Sequence, residues 1–140
     1  MLKRSFILLG GLFVAGMSMA AMADSCAGLN GTTWKGTFKT DVPSIATCYY
    51  KITATITGAG SAYTVHFIDD MYKSQGTKKD KCPKHNDFIN NLICDNGAIT
   101  TYVRSDNRDM VKATLAGNTM HGQGDFHDQI KVNYTLDLQK

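Results

Sequence analysis

Apolar and polar side chains alternate along much of the chain, and this alternation predicts β-strands. The clearest case is the last segment, where Val132, Tyr134 and Leu136 share one face and polar residues occupy the positions between them. Successive side chains of a strand leave opposite faces of the sheet, so a strand with one buried face requires a period of two. We predict about eight strands, at residues 33–39, 48–57, 62–68, 88–94, 98–104, 109–115, 119–126 and 129–138.

Short turn signals separate these segments and favour an antiparallel arrangement. Asn96-Gly97 is the strongest signal, because both residues tolerate the positive φ angles of a tight hairpin turn. No long helical periodicity interrupts the pattern, and all twelve acidic residues are Asp, which is a poor helix former. The prediction is an all-β fold, an up-and-down meander that covers its edges by closing into a small barrel or by folding over as a sandwich.

A polar connection, predicted over residues 69–87, breaks the regular spacing of the strands. Connections of this length are uncommon in compact domains unless they are functional or cross-linked, and Cys82 offers a cross-link. Its lysines are Lys73, Lys78, Lys79, Lys81 and Lys84. They form either a solvated surface or a patch for an anionic partner, such as a polysaccharide, a lipid headgroup or an acidic protein.

The N-terminal residues have the three-part pattern of a bacterial-style secretory signal peptide. A basic start, Met1–Arg4, precedes an apolar run, Ser5–Ala20, and a small-residue cleavage site at residues 21–23. The run is too short and too rich in Gly and Ala for a comfortable bilayer span of about 20 residues. We therefore expect signal residues 1–23 and a single periplasmic or secreted domain, residues 24–140, with no later membrane span.

Four cysteines lie behind the predicted cleavage site: Cys26, Cys48, Cys82 and Cys94. An even count in an exported domain indicates two disulfides, for which three pairings are possible. We favour Cys26–Cys48 with Cys82–Cys94, because short loops close most readily. A structural zinc site is the competing interpretation, and the absence of any Cys-x-x-Cys pair argues against it.

Charge and motifs exclude several classes of function. The full chain has 15 basic and 12 acidic residues, and cleavage removes Lys3 and Arg4, which leaves a net charge of +1. This balance gives no case for nucleic-acid binding. The chain has no hydrolase, metalloprotease or phosphate-loop motif and no Glu for a carboxylate pair, so we expect a protein that is not an enzyme and has no cofactor.

One segment combines possible metal ligands. His121, Asp125, His127 and Asp128 crowd the end of the seventh predicted strand. His121 and His127 would lie about 20 Å apart at ~3.3 Å per residue, too far to share an ion. We therefore favour a solvated hairpin end and predict no metal site.

The only tryptophan, Trp34, opens the first predicted strand within the segment Leu29-x-Gly31-x-Thr33-Trp34-Lys35. A Gly shortly before a Trp, at the start of an antiparallel meander, resembles the calycin group, which includes lipocalins, fatty-acid-binding proteins and avidin-like proteins. In that group the Trp closes one end of the barrel beneath the later strands. The plainer alternative is that Trp34 is an ordinary core aromatic residue.

The resemblance implies a binding protein that holds a small apolar ligand inside the barrel. The residues that would contact the ligand are Trp34, Tyr50, Val65, Phe67, Met120, Phe126 and Tyr134. A short eight-stranded barrel can instead be filled by its own side chains. In that case the lysine-rich connection would act as a binding surface for an extracytoplasmic protein or glycan.

Overall fold

Eight antiparallel strands in sequence order form one closed barrel, which confirms the predicted meander and selects the barrel over the sandwich. The computed structural model describes residues 26–103, 109–127 and 130–140. The strands are β1 (Thr32–Val42), β2 (Ala46–Ala59), β3 (Ala62–Gln75), β4 (His85–Asp95), β5 (Ala98–Tyr102), β6 (Met110–Ala116), β7 (Thr119–His127) and β8 (Lys131–Gln139). The predicted signal peptide, Asp128 and the neighbouring Gln129 lie outside the described residues.

The barrel closes because β1 pairs with β8 as well as with β2. Seven register pairs, from Lys35↔Gln139 to Asp41↔Asn133, join the first strand to the last. Gly36 allows this close approach, since a Cβ built on it would lie 1.9 Å from the carbonyl oxygen of Asp137. Closure removes the unpaired edges that an open sheet would leave.

The predicted hairpin and inward faces agree with the structure. Asn96 and Gly97 both have positive φ angles, 48° and 83°, in the turn between β4 and β5. The inward positions of β2 and β6 carry the buried side chains that the alternation predicts, including Ile56 and Val111, both 0% exposed. Burial of this apolar surface is the main source of the barrel's stability.

The connection between β3 and β4 is shorter than the sequence predicts. β3 continues to Gln75 and β4 begins at His85, so residues 76–84 join them rather than 69–87. A single 3₁₀ turn, Lys79–Lys81, lies within this connection. The sequence of Asp69 and Asp70 is typical of a loop, but both residues belong to β3 and pair with residues of β4.

The disulfides are Cys26–Cys94 and Cys48–Cys82, so the pairing favoured from the sequence is wrong. Their Cα–Cα distances are 5.9 Å and 5.8 Å, within the range that a disulfide spans. Short-loop entropy was outweighed by the fold, which brings distant cysteines together at each end of the barrel. The two bonds indicate an oxidising, extracytoplasmic compartment.

Candidate functional site: a cavity at the open end of the barrel

One end of the barrel, here the closed end, is covered by the chain that leads into β1. Leu29 is 1% exposed there, and the Thr32 hydroxyl donates a hydrogen bond of 2.6 Å to its carbonyl. The indole Nε1 of Trp34 donates to the Thr32 hydroxyl at 2.8 Å. The Cys26–Cys94 disulfide ties the same segment to the end of β4. Trp34 therefore anchors a cover over this end, as expected for the residue that closes a barrel.

The barrel interior next to the closed end is filled by side chains. The fully buried apolar residues are Leu29, Trp34, Ile56, Val65, Leu92, Ile99, Val111 and Met120. Further along the barrel axis, the side chains that include Phe67 and Leu136 enclose a void of only about 10 Å³. That space is about the size of one water molecule, so this part of the interior is packed core rather than a ligand pocket.

The opposite end, here the open end, holds a cavity of about 580 Å³. The β1–β2 turn and the connection of residues 76–84 lie at this end. The lining residues come from β1–β4, β8, the β3–β4 connection and the residue that follows β5: Phe38, Thr40, Tyr50, Asp69, Pro83, His85, Asn86, Asp87, Phe88, Val103 and Tyr134. Pockets of ~300–1,000 Å³ with aromatic walls and a few polar groups are typical of small-molecule sites.

Three aromatic rings form one wall of this cavity. Phe38 on β1 lies between Tyr50 on β2 and Tyr134 on β8, with ring centroids 6.0 Å apart in both contacts. The Phe38 and Tyr134 rings are nearly parallel, with an interplanar angle of 5°. A β-bulge in the β2–β3 pairing falls between Tyr49 and Tyr50. Bulges redirect side chains next to binding sites, and this one lies at the residue that supplies a wall of the cavity.

Asp69 is the most unusual residue of the cavity wall. It occupies the inward position of β3 that follows Phe67, and it is 1% exposed. Neither carboxylate oxygen is hydrogen-bonded to any residue that the structure describes. The facing Asn86 on β4 approaches it without completing a hydrogen bond of normal geometry. A buried carboxylate without such a bond is costly, because the water that solvated it has been removed and is only partly replaced.

This burial changes the acidity of two groups in the wall. Desolvation raises the pKa of Asp69, and the nearby Asn86 amide and the charge of His85 offset only part of that effect. Burial, together with the negative charge of Asp69, raises the pKa of Tyr50 to about 12. Tyr50 therefore keeps its proton at all physiological pH values, whereas the ionised form of Asp69 is disfavoured because the site only partly compensates its charge.

His85 lies at the edge of the cavity and is held by an ion pair on the outside of the barrel. Its Nδ1 lies 2.7 Å from the carboxylate of Asp70, its register partner across β3 and β4. This hydrogen bond raises the pKa of His85. His66 and Asp87 form a second pair at 2.6 Å on the same two strands. Both pairs are exposed, so they align the strands rather than contribute much to stability.

The ligand-contacting residues predicted from the sequence divide into two groups. Tyr50 and Tyr134 line the cavity, and Phe67 lies just behind it, with its ring 5.3 Å from that of Phe88. The other predicted residues pack into the core instead. They are Trp34, Val65, Met120 and the partly buried Phe126.

The predicted partner-binding lysines lie on or beside the β3–β4 connection, and all are exposed. Lys73 belongs to β3, where its Nζ lies 5.1 Å from the centre of the Tyr49 ring. Lys78, Lys79, Lys81 and Lys84 belong to the connection itself. The connection is fixed to the barrel by the Cys48–Cys82 disulfide and by the backbone hydrogen bond from Lys78 to Ile45.

The predicted solvated hairpin end is only partly described. His121 points outward and pairs with Asp137 on β8, and Asp125 is also exposed. Nothing in the described ranges brings three or more His, Cys, Asp or Glu side chains together as a metal site. In the same part of the chain, no helix is long and apolar enough to cross a membrane.

Sequence reasoning missed the polar residues of the cavity, above all Asp69 and Asn86. A usable signal was present, because the inward positions Tyr63, Val65 and Phe67 continue directly to Asp69 at the same spacing. An acidic residue that continues the alternating pattern of a buried strand face can mark either a functional site or the end of the strand. The alternation alone could therefore have identified Asp69 as a candidate site residue.

The fold and the cavity define a class: a small eight-stranded antiparallel barrel with one end closed by its N-terminal segment, one end open and a disulfide at each. Comparisons with protein-family models, curated proteins and solved structures give no significant match. The function must therefore be argued from the cavity itself.

Proposed function

We propose that this protein is a non-catalytic, extracytoplasmic binding protein that holds a small ligand in the cavity at the open end of its barrel. The observation that carries the proposal is the cavity of about 580 Å³, one wall of which is formed by the Phe38, Tyr50 and Tyr134 rings. The aromatic wall and the polar groups that face it support a binding site for an organic molecule. Because the closed end is packed, the ligand occupies the open end rather than the whole interior.

Two further features support this proposal. The two disulfides suit a periplasmic or secreted protein, as does the signal pattern of residues 1–23. The resemblance of the Trp34 segment to the calycin group implies the same kind of activity, since proteins of that group bind small apolar ligands inside a barrel. The closed end anchored by Trp34 is consistent with that resemblance.

The proposal is tested by native mass spectrometry of the protein purified from its own compartment. We expect the wild-type protein to carry a retained ligand, seen as added mass that is lost on denaturation. Thr40→Phe places a ring in the cavity and should abolish the added mass. Thr37→Phe, on the outward face of the same strand, is the matched control and should retain it.

Two results would count against ligand binding at this site. One is a wild-type protein with no added mass under any gentle ionisation condition. The other is an added mass that Thr40→Phe and Thr37→Phe retain equally. Circular dichroism spectra of both variants establish that each is folded before the masses are compared.

A second candidate function is favoured by the construction of the β3–β4 connection. Its lysines are held on a short segment that a disulfide and a 3₁₀ turn fix in place. A preorganised basic segment loses little conformational entropy when it binds an anionic partner. This surface would bind an acidic protein or glycan of the cell envelope.

Replacement of Lys78, Lys79 and Lys81 by Ser tests this second function. Retention on an immobilised acidic polysaccharide should fall to that of a neutral protein and should be salt-dependent in the wild type. The control variant replaces three exposed strand lysines, Lys35, Lys51 and Lys112, with Ser, and so removes the same charge elsewhere. Equal retention of both variants would show that the connection is not the binding surface.

A further inference from the structure

The polar groups of the cavity point to the chemical class of its ligand, and this inference rests on the proposed function. Asp69 is 1% exposed and lies in the cavity wall, yet neither of its oxygens is hydrogen-bonded within the described chain. Buried polar atoms are nearly always paired, and an exception of this kind requires an explanation. A ligand that donates hydrogen bonds to this carboxylate would supply the missing partner.

The surroundings of Asp69 distinguish among possible ligands. No Lys or Arg is among the described residues that line the cavity, and His85 at its edge is paired with Asp70. An anionic ligand would meet the uncompensated charge of Asp69, and a neutral apolar ligand would leave that charge without a partner. A cation with N–H donors satisfies both the charge and the hydrogen-bonding capacity of the carboxylate.

The aromatic wall favours the same ligand. Phe38 contacts both Tyr50 and Tyr134, and the three rings line the same cavity as the carboxylate. Aromatic faces carry partial negative charge and attract organic cations, most strongly where water is excluded. They also provide apolar surface for the carbon skeleton of the ligand.

The lysines of the β3–β4 connection do not oppose a cation at this depth. Lys78, Lys79 and Lys81 are exposed, so water and salt screen their charges over about 8–10 Å. Asp69 is removed from water, and its field inside the cavity is screened far less. The local charge of the wall therefore decides which ligand is accepted.

We propose that the cavity binds a small organic ammonium ion whose N–H groups donate to Asp69 and whose apolar skeleton packs against Phe38, Tyr50 and Tyr134. Desolvation of Asp69 and the high pKa of Tyr50 agree with this arrangement, because a carboxyl group removed from water lies beside a phenol that stays neutral. The bound ammonium ion neutralises the ionised carboxylate without requiring another ionisable group.

The test compares three probes with one carbon skeleton and different head groups: 3-phenylpropylamine, 3-phenylpropan-1-ol and 3-phenylpropanoate. Isothermal titration calorimetry at neutral pH measures the affinity of each for the full exported domain. We expect the amine to bind at least about tenfold more tightly than the alcohol, the effect of one charge-assisted hydrogen bond pair. The carboxylate probe should bind most weakly.

Asp69→Asn supplies the decisive variant, because asparagine keeps the shape and removes the charge. It should lower the affinity for the amine by about tenfold or more and change the affinity for the alcohol by less than about twofold. Asp137→Asn is the matched control, since it removes one carboxylate from the outward face of β8, where Asp137 pairs with His121. It should leave both affinities unchanged.

The outcomes separate this inference from the proposed function. Equal binding of amine and alcohol to wild-type and Asp69→Asn protein would overturn the ammonium assignment and leave the cavity as a site for neutral ligands. If none of the probes binds at about 1 mM, the assignment is wrong for arylalkyl amines. The proposed function fails as well only if the protein from its own compartment also carries no ligand.

Discussion

Replacement of Asp69 with Asn should make the barrel more stable at neutral pH, although it removes a residue of the candidate site. Asp69 is 1% exposed, and neither of its oxygens is hydrogen-bonded within the described residues. The folded protein therefore keeps a carboxylate out of water without a replacement for its solvation. Asparagine has the same shape and no charge, so it avoids the larger part of this cost.

The size of the gain follows from the energy of an unsatisfied buried group. Such a group costs about 1–3 kcal/mol and more when it is charged, and the asparagine amide retains part of that cost. We expect a net gain of about 1–2 kcal/mol in the free energy of unfolding. A domain of this size gains roughly 4 °C in Tm per kcal/mol, so the midpoint should rise by about 4–8 °C.

The gain should depend on pH in a defined direction. Desolvation raises the pKa of Asp69 in the folded protein, so the folded state binds this proton more tightly than the unfolded chain does. The cost is present in full above the folded pKa, declines as the pH falls through it, and is absent below the unfolded value of about 3.9. The advantage of Asp69→Asn over wild type should therefore shrink in acid and be small near pH 3.

Urea unfolding at pH 7 and pH 3 measures both effects, and the fluorescence of the single Trp34 at the closed end reports the transition. Asp137→Asn, at an exposed position, serves as the control and should change stability little at pH 7. A less stable Asp69→Asn at pH 7 would show that the folded protein stabilises the carboxylate and would contradict the prediction. An equal gain at both pH values would show that charge is not its cause. If Asp69 serves binding at a cost in stability, its replacement should stabilise the protein, because functional sites often carry residues that lower stability.

Three further predictions concern the framework of the barrel. Gly36→Ala should lower the free energy of unfolding by about 1–3 kcal/mol in urea titrations, because its Cβ would meet the β8 backbone, whereas Gly28→Ala, with nothing within 4 Å, should be nearly neutral. Joint replacement of Cys48 and Cys82 by Ala should cost about 4 kcal/mol by the loop-entropy relation for a sequence separation of 34, and an unchanged midpoint would contradict it. Trp34→Phe should cost about 1–3 kcal/mol through the lost hydrogen bond to the Thr32 hydroxyl, with ligand affinity at the open end unchanged; a large loss of affinity would instead place Trp34 in the site.

Part of the candidate site could be predicted from the sequence. Tyr50 and Tyr134 follow from the alternation, because a period of two identifies the inward face of a strand without knowledge of its neighbours. Asp69 also falls on an inward position of this alternation. Adjacent acidic residues are typical of the end of a strand, however, and the local sequence alone favours that interpretation. The burial of Asp69 depends on the neighbouring strands, which bring its register partners Ile52 on β2 and Asn86 on β4 beside it.

The sequence by itself determined the number and order of the strands, their inward faces and the Asn96-Gly97 turn, because these depend on residues within a few positions of one another. Only the tertiary structure decided the closure between β1 and β8, the pairing of the cysteines and the location of the cavity. Cys26 and Cys94 are 68 positions apart, yet the barrel brings them together, while the nearer Cys48 is carried to the opposite end. The cavity likewise exists because the stagger of eight strands sets how far each side chain reaches along the barrel axis, and that stagger is a property of the closed sheet rather than of any single segment.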